Sequence, residues 1–349
     1  MLAIGMIGAG FMAQVAHLPA FARVASCRVT ALADDRCDLL ETVGNRFGIV
    51  ERHEDFHALL ASRSVDAVMV TMPRRCQSVI VREVIAHRIP VLSEKPLALT
   101  AAVAEDLAAA ARANGTLAAA LYQRRFDAGV RLFAERFHSL LESGELGTLM
   151  HLRMNNFCAA YSVPIPEHVR SSGPRAHRYP EDPDLPAGLP AELRRDYEYT
   201  ANVAIHDINL LHMLFGGRGL TPLSFHVRRG GCQTMVVGVP GADACLSVGP
   251  ADIGTWDQRL DAYFKTGCLS LVQDSTLAPQ PRTLVIERSA KGEECFRPPV
   301  AQRISPFHGQ ASAFVDAVRG VPVAIATVED AVRDLSLIEG LWRMAAVTG

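Results

Sequence analysis

The chain opens with an apolar run, residues 2–7, that passes directly into Gly8-Ala9-Gly10-Phe11-Met12-Ala13, after which residues 11–24 alternate apolar and small residues at helical spacing. A strand that turns through two glycines into a helix admits few folds. Gly8 permits the tight turn, Gly10 lets the backbone approach a ligand closely, and Ala13 lets the helix pack near a sheet. The first amides of such a helix are unpaired and suit a phosphate, which makes Gly8, Gly10, Phe11 and Met12 candidates for holding a pyrophosphate. Pro19 is expected to interrupt the helix.

A second apolar strand, residues 29–33, ends on Asp34-Asp35, and Asp34 stands 24 residues after Gly10. A carboxylate at that place accepts hydrogen bonds from an adenosine ribose. It repels a 2′-phosphate and so favours NAD, whereas Arg36 offers such a phosphate a cation, so NADP stays open.

The early rhythm continues. Helices are expected at 38–47, 77–87 and 101–114, alternating with short apolar strands at 65–71, 91–93 and 117–121. Apolar strands alternating with helices imply a doubly wound parallel sheet covered on both faces, an α/β Rossmann domain. Its strand at 91–93 runs into Glu94-Lys95-Pro96, which sets an amine and a carboxylate at the carboxyl end of a strand, where open α/β sheets hold ligands.

After residue 122 the pattern changes to a helix at 128–143, a turn at Gly144 and Gly147, and alternating strands at 148–157, 223–229, 233–239, 243–248, 259–265 and 268–273. Period-two alternation predicts an open, mostly antiparallel sheet in a C-terminal α+β domain. Two helices, 307–319 and 327–345, close the chain. The expected division is 1–122, for the dinucleotide, and 123–349, since 349 residues exceed one ordinary core. Between 163 and 190 lie seven prolines; this stretch reads either as a solvent excursion or as a lid or subunit contact over a ligand.

Composition narrows the function. A formal net charge of −2 with scattered basic residues gives no electrostatic case for nucleic acid or an anionic membrane. No stretch approaches the roughly 20 apolar residues of a membrane span, and no basic flank opens the chain, so a cytoplasmic protein is expected. The eight cysteines are scattered without a Cys-x-x-Cys, and the twelve histidines form no tight ligand pattern, so no metal site is expected.

With Gly8 to Ala13, Thr71-Met72-Pro73, Glu94-Lys95-Pro96, Tyr122-Gln123-Arg124-Arg125-Phe126, Gly144-Glu145-Leu146-Gly147 and His206-Asp207-Ile208-Asn209 in that order, the chain resembles the Gfo/Idh/MocA oxidoreductases. The likeness extends to Phe314-Val315-Asp316-Ala317-Val318 and Glu329-Asp330-Ala331. It implies NAD(P)-dependent hydride transfer at a secondary alcohol or ketone of a sugar, cyclitol or related metabolite, by a homodimer or homotetramer. Thr71, Met72, Pro73, Gln77 and Gln123 would then lie along the cofactor, Gln77 standing where many members have His. Glu94 and Lys95 would flank the nicotinamide, Lys95 reaching the substrate hydroxyl, and Pro96 matches a commonly cis proline. Asn156 and Tyr161 would face substrate.

Asn202, His206 and Asn209 fall at i, i+4 and i+7, on one helix face. The family's usual register is Asp-x-x-x-His, so Asn202 replaces an acid and supplies hydrogen bonds without charge, while Asp196-Tyr197-Glu198-Tyr199 replaces the common Gly-Gly stretch. Lys95, His206 and Asn202 are the catalytic candidates. Two alternatives stay open: an NAD-dependent glycosidase working by oxidation and elimination, and a nucleotide-binding sensor without turnover.

Overall fold

The computed structural model describes residues 1–158, 167–173, 179–182, 185–251, 256–273, 275–277, 283–299 and 304–348. The chain divides into two compact units: Met1–Tyr122 with Pro166–Leu185 and Phe307–Val332, and Gln123–Ile165 with Pro186–Pro306 and Arg333–Gly349. The first unit therefore takes in two later stretches, which a single cut at 122/123 does not describe.

In the first unit, strands β1 (Leu2–Ile7), β2 (Cys27–Ala33), β3 (Glu51–His53), β4 (Ala67–Val70), β5 (Val91–Ser93) and β6 (Ala118–Ala120) form one sheet in the order β3-β2-β1-β4-β5-β6. Every pairing is parallel. The order reverses between β1 and β4, and ligands of such sheets bind outside the carboxyl ends at that switch. Helices α1 (Leu18–Phe21), α2 (Cys37–Phe47), α3 (Phe56–Ser62), α4 (Arg74–Ala86) and α5 (Ala101–Asn114) connect the strands. Each residue of β4 and β5 is buried, which is why these strands read as unbroken apolar runs. Helix α5 starts on a Thr100 side-chain cap and stops at Gly115 with φ of 63°, the ending that its Asn-Gly pair predicts.

Two elements here were not expected. β3 is three polar residues at the sheet edge, without an apolar signal, and α3 follows it behind an Asp55 cap. Nor does Pro19 break the first helix. A π-turn, Ala13–His17, precedes α1, and Pro19 sits at the start of α1, where its missing N–H is tolerated.

The second unit holds a nine-stranded sheet in the order β14-β13-β12-β11-β7-β10-β9-β8-β15. Its strands are β7 (Leu149–Phe157), β8 (Thr221–Arg228), β9 (Gln233–Val239), β10 (Ala242–Gly249), β11 (Asp257–Phe264), β12 (Gly267–Gln273), β13 (Leu284–Ser289), β14 (Gly292–Phe296) and β15 (Ala345–Thr348). β10 with β7 and β15 with β8 pair in parallel, and the other six pairs are antiparallel. β13, β14 and β15 went unforeseen; β14 is an exposed polar edge strand, and β15 begins at Ala345, the last residue of the expected terminal helix.

One sheet face buries Leu152, Met154, Leu246, Leu260, Ala262 and Leu271. Helix α6 (Ala128–Ser143) contributes Phe133 and Phe137, and Phe264 lies 6.1 Å from Phe137, ring to ring. The other face carries Arg153 and Arg259 on Asp261. Helices α7 (Arg194–Tyr199) and α8 (Ile205–Leu214) are joined by a π-turn, Thr200–Ala204. Helices α9 (Pro306–Val318) and α10 (Val328–Trp342) complete the chain.

Candidate functional site

The turn after β1 is built around one close approach. Gly8 has φ of 99°, and a Cβ there would run into the Thr71 carbonyl oxygen and lie 2.9 Å from its carbon, so no side chain fits. That contact fixes the ends of β1 and β4 against each other across the switch point. Gly10 is different: a Cβ there meets only Arg36 Nη2, at 3.9 Å. Gly10, Phe11 and Met12 are partly open between buried neighbours, as are Thr71 and Met72 beyond the buried β4. Backbone accessible at just these places fits a pyrophosphate lying across the turn.

Asp34 is 2% exposed and saturated. Its Oδ2 accepts from the Ala9 amide and Arg36 Nη2, each at 2.8 Å, and its Oδ1 from the Arg36 amide at 3.0 Å and Arg36 Nε at 2.8 Å. Four donors fill the acceptor sites of one carboxylate. The expected ribose acceptor is therefore engaged by Arg36, and neither residue acts on a ribose or 2′-phosphate until that pair opens. The hydrogen bond to Asp34 also raises the Arg36 pKa above its ordinary range.

Gln77, expected along the cofactor, is 1% exposed and acts as a brace. Its Oε1 accepts from the Met72 amide at 3.0 Å, and its Nε2 donates to the Val70 carbonyl, Ser93 Oγ and the Glu94 carbonyl. With both amide atoms committed, Gln77 holds the ends of β4 and β5 together instead of facing a ligand.

The Glu94-Lys95-Pro96 turn has a cis Lys95–Pro96 bond. Glu94 is also tied inward: Oε1 lies 2.7 Å from His17 Nε2, and Oε2 accepts the Lys95 amide at 3.0 Å. Burial pushes the Glu94 carboxyl up, but the His17 hydrogen bond and charge, with Lys95, outweigh it and hold the group below its ordinary range. His17 is 2% exposed and set edge-on to Phe307. It was missed in the sequence, although a histidine on an otherwise small and apolar helix face is a buried-polar signal. Across residues 91–101, Lys95 alone is not fully buried.

In the second unit, Asn202, Val203 and His206 are the only residues from Thr200 to His212 that are not fully buried. The intervening π-turn widens the helix, so a four-residue step overshoots one turn by less than in an α-helix. Asn202 and His206 thus share a face. Asn209, expected beside them, is 1% exposed, with its Oδ1 accepting from Arg125 and its Nδ2 donating to Asp334.

Asp207 anchors α8 from the opposite side: Arg124 Nη1 donates to its Oδ1 and Asn156 Nδ2 to its Oδ2, both at 2.7 Å. Asn156 Oδ1 accepts from Gln258. Asn156, expected to face substrate, is 1% exposed and spent in this network. Burial raises the Asp207 pKa against the opposing pull of Arg124 and Asn156. Gln123 Oε1, by contrast, is buried without a hydrogen-bond partner among the described residues. An orphaned acceptor of that kind fits a ligand amide donor. Tyr161 lies outside the described residues.

Among the described residues there is no cluster of His, Cys, Asp and Glu able to hold a metal, and no helix is long and apolar enough to cross a membrane.

A 321456 parallel sheet with a glycine turn at its switch point defines a dinucleotide-binding Rossmann domain. Residues 2–122 match the family described as "Oxidoreductase family, NAD-binding Rossmann fold", Gfo/Idh/MocA. An inositol 2-dehydrogenase of Burkholderia lata is 32% identical over 154 residues, 43% of this chain and 44% of that protein. A dTDP-3,4-didehydro-2,6-dideoxy-α-D-glucose 3-reductase of Actinomadura kijaniata is 30% identical over 161 residues, 46% of each chain. The chain thus spans less than half the length of these curated relatives. A solved 3-ketoreductase from Actinomadura kijaniata, in complex with NADP and TDP-benzene, superposes with a TM-score of 0.79 at 22% identity, covering 99% of this chain and 98% of that one. That likeness is one of fold, and it takes in the second unit as well as the first.

Proposed function

We propose that this chain is an NAD(P)-dependent oxidoreductase acting at a secondary alcohol or ketone of a sugar, cyclitol or related polar metabolite. Residues 1–122 hold the dinucleotide, with NAD preferred to NADP because Asp34 ends β2; residues 123–349 hold substrate and mediate self-association of a cytoplasmic homo-oligomer. The observation that carries the reading is that Lys95, which follows the end of β5, is the one residue from 91 to 101 that is not fully buried.

A nicotinamide held there would supply or take the hydride. Lys95 holds the substrate oxygen and steadies negative charge as it develops there. His206 takes or returns the hydroxyl proton, and Asn202 orients the hydroxyl without lending the imidazole a negative charge. Gln123, whose Oε1 is buried without a hydrogen-bond partner among the described residues, would help to hold the cofactor. The inositol dehydrogenase and sugar ketoreductase relatives support the substrate class.

Titration of purified protein with NADH and NADPH, followed by turnover assays on polyols and keto-sugars, tests this. Lys95→Ala is expected to lower kcat by roughly 10²- to 10⁴-fold, the range for a positioned proton or charge group. Full turnover in that variant removes Lys95 from the mechanism.

A further inference from the structure

Part of the proline-rich stretch lies on the first unit's ligand edge. We infer that residues 167–173 form the outer wall of the dinucleotide site and that Gln14 latches them there, so that the latch controls nucleotide release. This rests on the dinucleotide reading above.

Gln14 is 2% exposed. Its Oε1 accepts from the Val169 amide at 2.8 Å, while its Nε2 donates to the Val169 carbonyl at 3.1 Å and to the Ala9 carbonyl at 2.9 Å. One side chain thus reads both backbone groups of Val169 and ties them to the glycine turn itself. On either side of Val169 the stretch is pinned again. His168 sets its ring edge-on to Phe11 at 4.8 Å, Ser171 Oγ donates to both oxygens of Asp38 at 2.8 and 2.9 Å, and the Glu167 carbonyl accepts from Arg46. The Ser171 hydrogen bond holds the Asp38 carboxyl below its ordinary range.

These anchors are not scattered. Phe11 and Gln14 open the first helix and Asp38 lies in the first turn of α2, two helix starts at the carboxyl edge of β1 and β2. Residues 179–182 continue along the same edge. Tyr179 packs edge-on to Phe56, the first residue of α3, and Asp182 takes the Ser78 hydroxyl and gives its amide to the Arg75 carbonyl, both in α4. The edge so followed is where a dinucleotide lies in this fold.

The chemistry of the wall suits an anion. Arg170 Nε donates to His168 Nε2 at 3.3 Å and makes no ion pair among the described residues. This places a guanidinium and an imidazole beside Phe11, next to the backbone expected to carry the pyrophosphate. A dianionic pyrophosphate completes that arrangement.

The test is nucleotide release, followed by stopped-flow fluorescence of bound NADH or NADPH chased with excess NAD or NADP. Gln14→Ala removes the latch and is expected to accelerate release at least tenfold, the effect of two or three lost hydrogen bonds. Arg170→Ala leaves the latch intact and is expected to accelerate release severalfold at low salt, with the difference shrinking as ionic strength rises. Ser171→Ala, on a more exposed side chain, provides a third variant should Gln14→Ala not fold. Release rates within twofold of the parent in the folded variants, with nucleotide still bound, overturn the wall and leave the dinucleotide reading standing. Failure of the parent to bind either nucleotide overturns both.

Discussion

Arg36 decides how the adenosine end is read, and Arg36→Ala isolates its role. In the parent, two of the four donors on Asp34 come from the Arg36 side chain, at 2.8 Å each. The truncation leaves Asp34 with the Ala9 and residue-36 amides, and frees one lone pair on each oxygen for the hydroxyls of an NAD ribose. A 2′-phosphate meets the opposite situation: it loses the cation and faces a carboxylate. One charge-assisted hydrogen bond to phosphate contributes about 1.5–3 kcal/mol, so the ratio of the Kd for NADPH to that for NADH should rise roughly 10- to 100-fold. NADH affinity itself should change less than about threefold. Fluorescence or calorimetric titration at two ionic strengths reads both constants, and the NADPH effect should weaken with salt. Equal losses for NADH and NADPH refute the reasoning, because they mean that Arg36 serves only to hold Asp34 and the Ala9 amide in place.

Other outcomes follow from buried groups. Glu94 titrates below its ordinary 4.5 in the folded protein, so it binds fewer protons folded than unfolded and contributes stability that is present above that pH and lost as pH falls through the lower, folded value. Glu94→Gln should therefore flatten the acid limb of a stability-versus-pH curve measured by denaturant melts. Arg124 and Asp207 are a buried pair, each 4% exposed at the side chain; Arg124→Met alone should cost about 3–5 kcal/mol by leaving a buried carboxylate uncompensated. The double variant with Asp207→Leu should recover part of that, as denaturant midpoints would show. Gly8→Ala forces a β-carbon toward the Thr71 carbonyl at positive φ, so it should destabilise by about 1–3 kcal/mol from backbone strain alone and abolish nucleotide binding; retained binding in calorimetry contradicts the tight-turn assignment.

Much of the fold was legible because its signals are local. The Thr100 cap with Gly115, and Asp127 with Gly144, bound helices α5 and α6 at the residues that propensity and capping select. Apolar runs revealed β4 and β5 since both of their faces are covered. β3 and β14 escaped for the converse reason: Glu51-Arg52-His53 and Gly292-Glu293-Glu294 carry no hydrophobic period, and they are strands because a neighbouring edge offers unpaired amides and carbonyls.

The site separates along the same line. Residues whose role is conformational, Gly8 and Pro96, announce themselves by type, and Lys95 and His206, proposed to act on substrate, are incompletely buried among buried neighbours. What spacing withholds is which partner a polar side chain finds. Gln77, Asn156 and Asp34 have the right chemistry to touch a ligand, yet each is hydrogen-bonded inside the protein, Asn156 to residues 51 and 102 positions away. A buried amide or carboxylate must be satisfied in the absence of ligand as well as in its presence, and internal partners are always available, whereas the ligand is not. Polar residues flanking such an edge therefore include a braced set, which shapes the groove. His17 and Gln14 show the same rule from the other side: both are braces on the buried face of the first helix, each 2% exposed, where a sequence pattern records only that something must hold them.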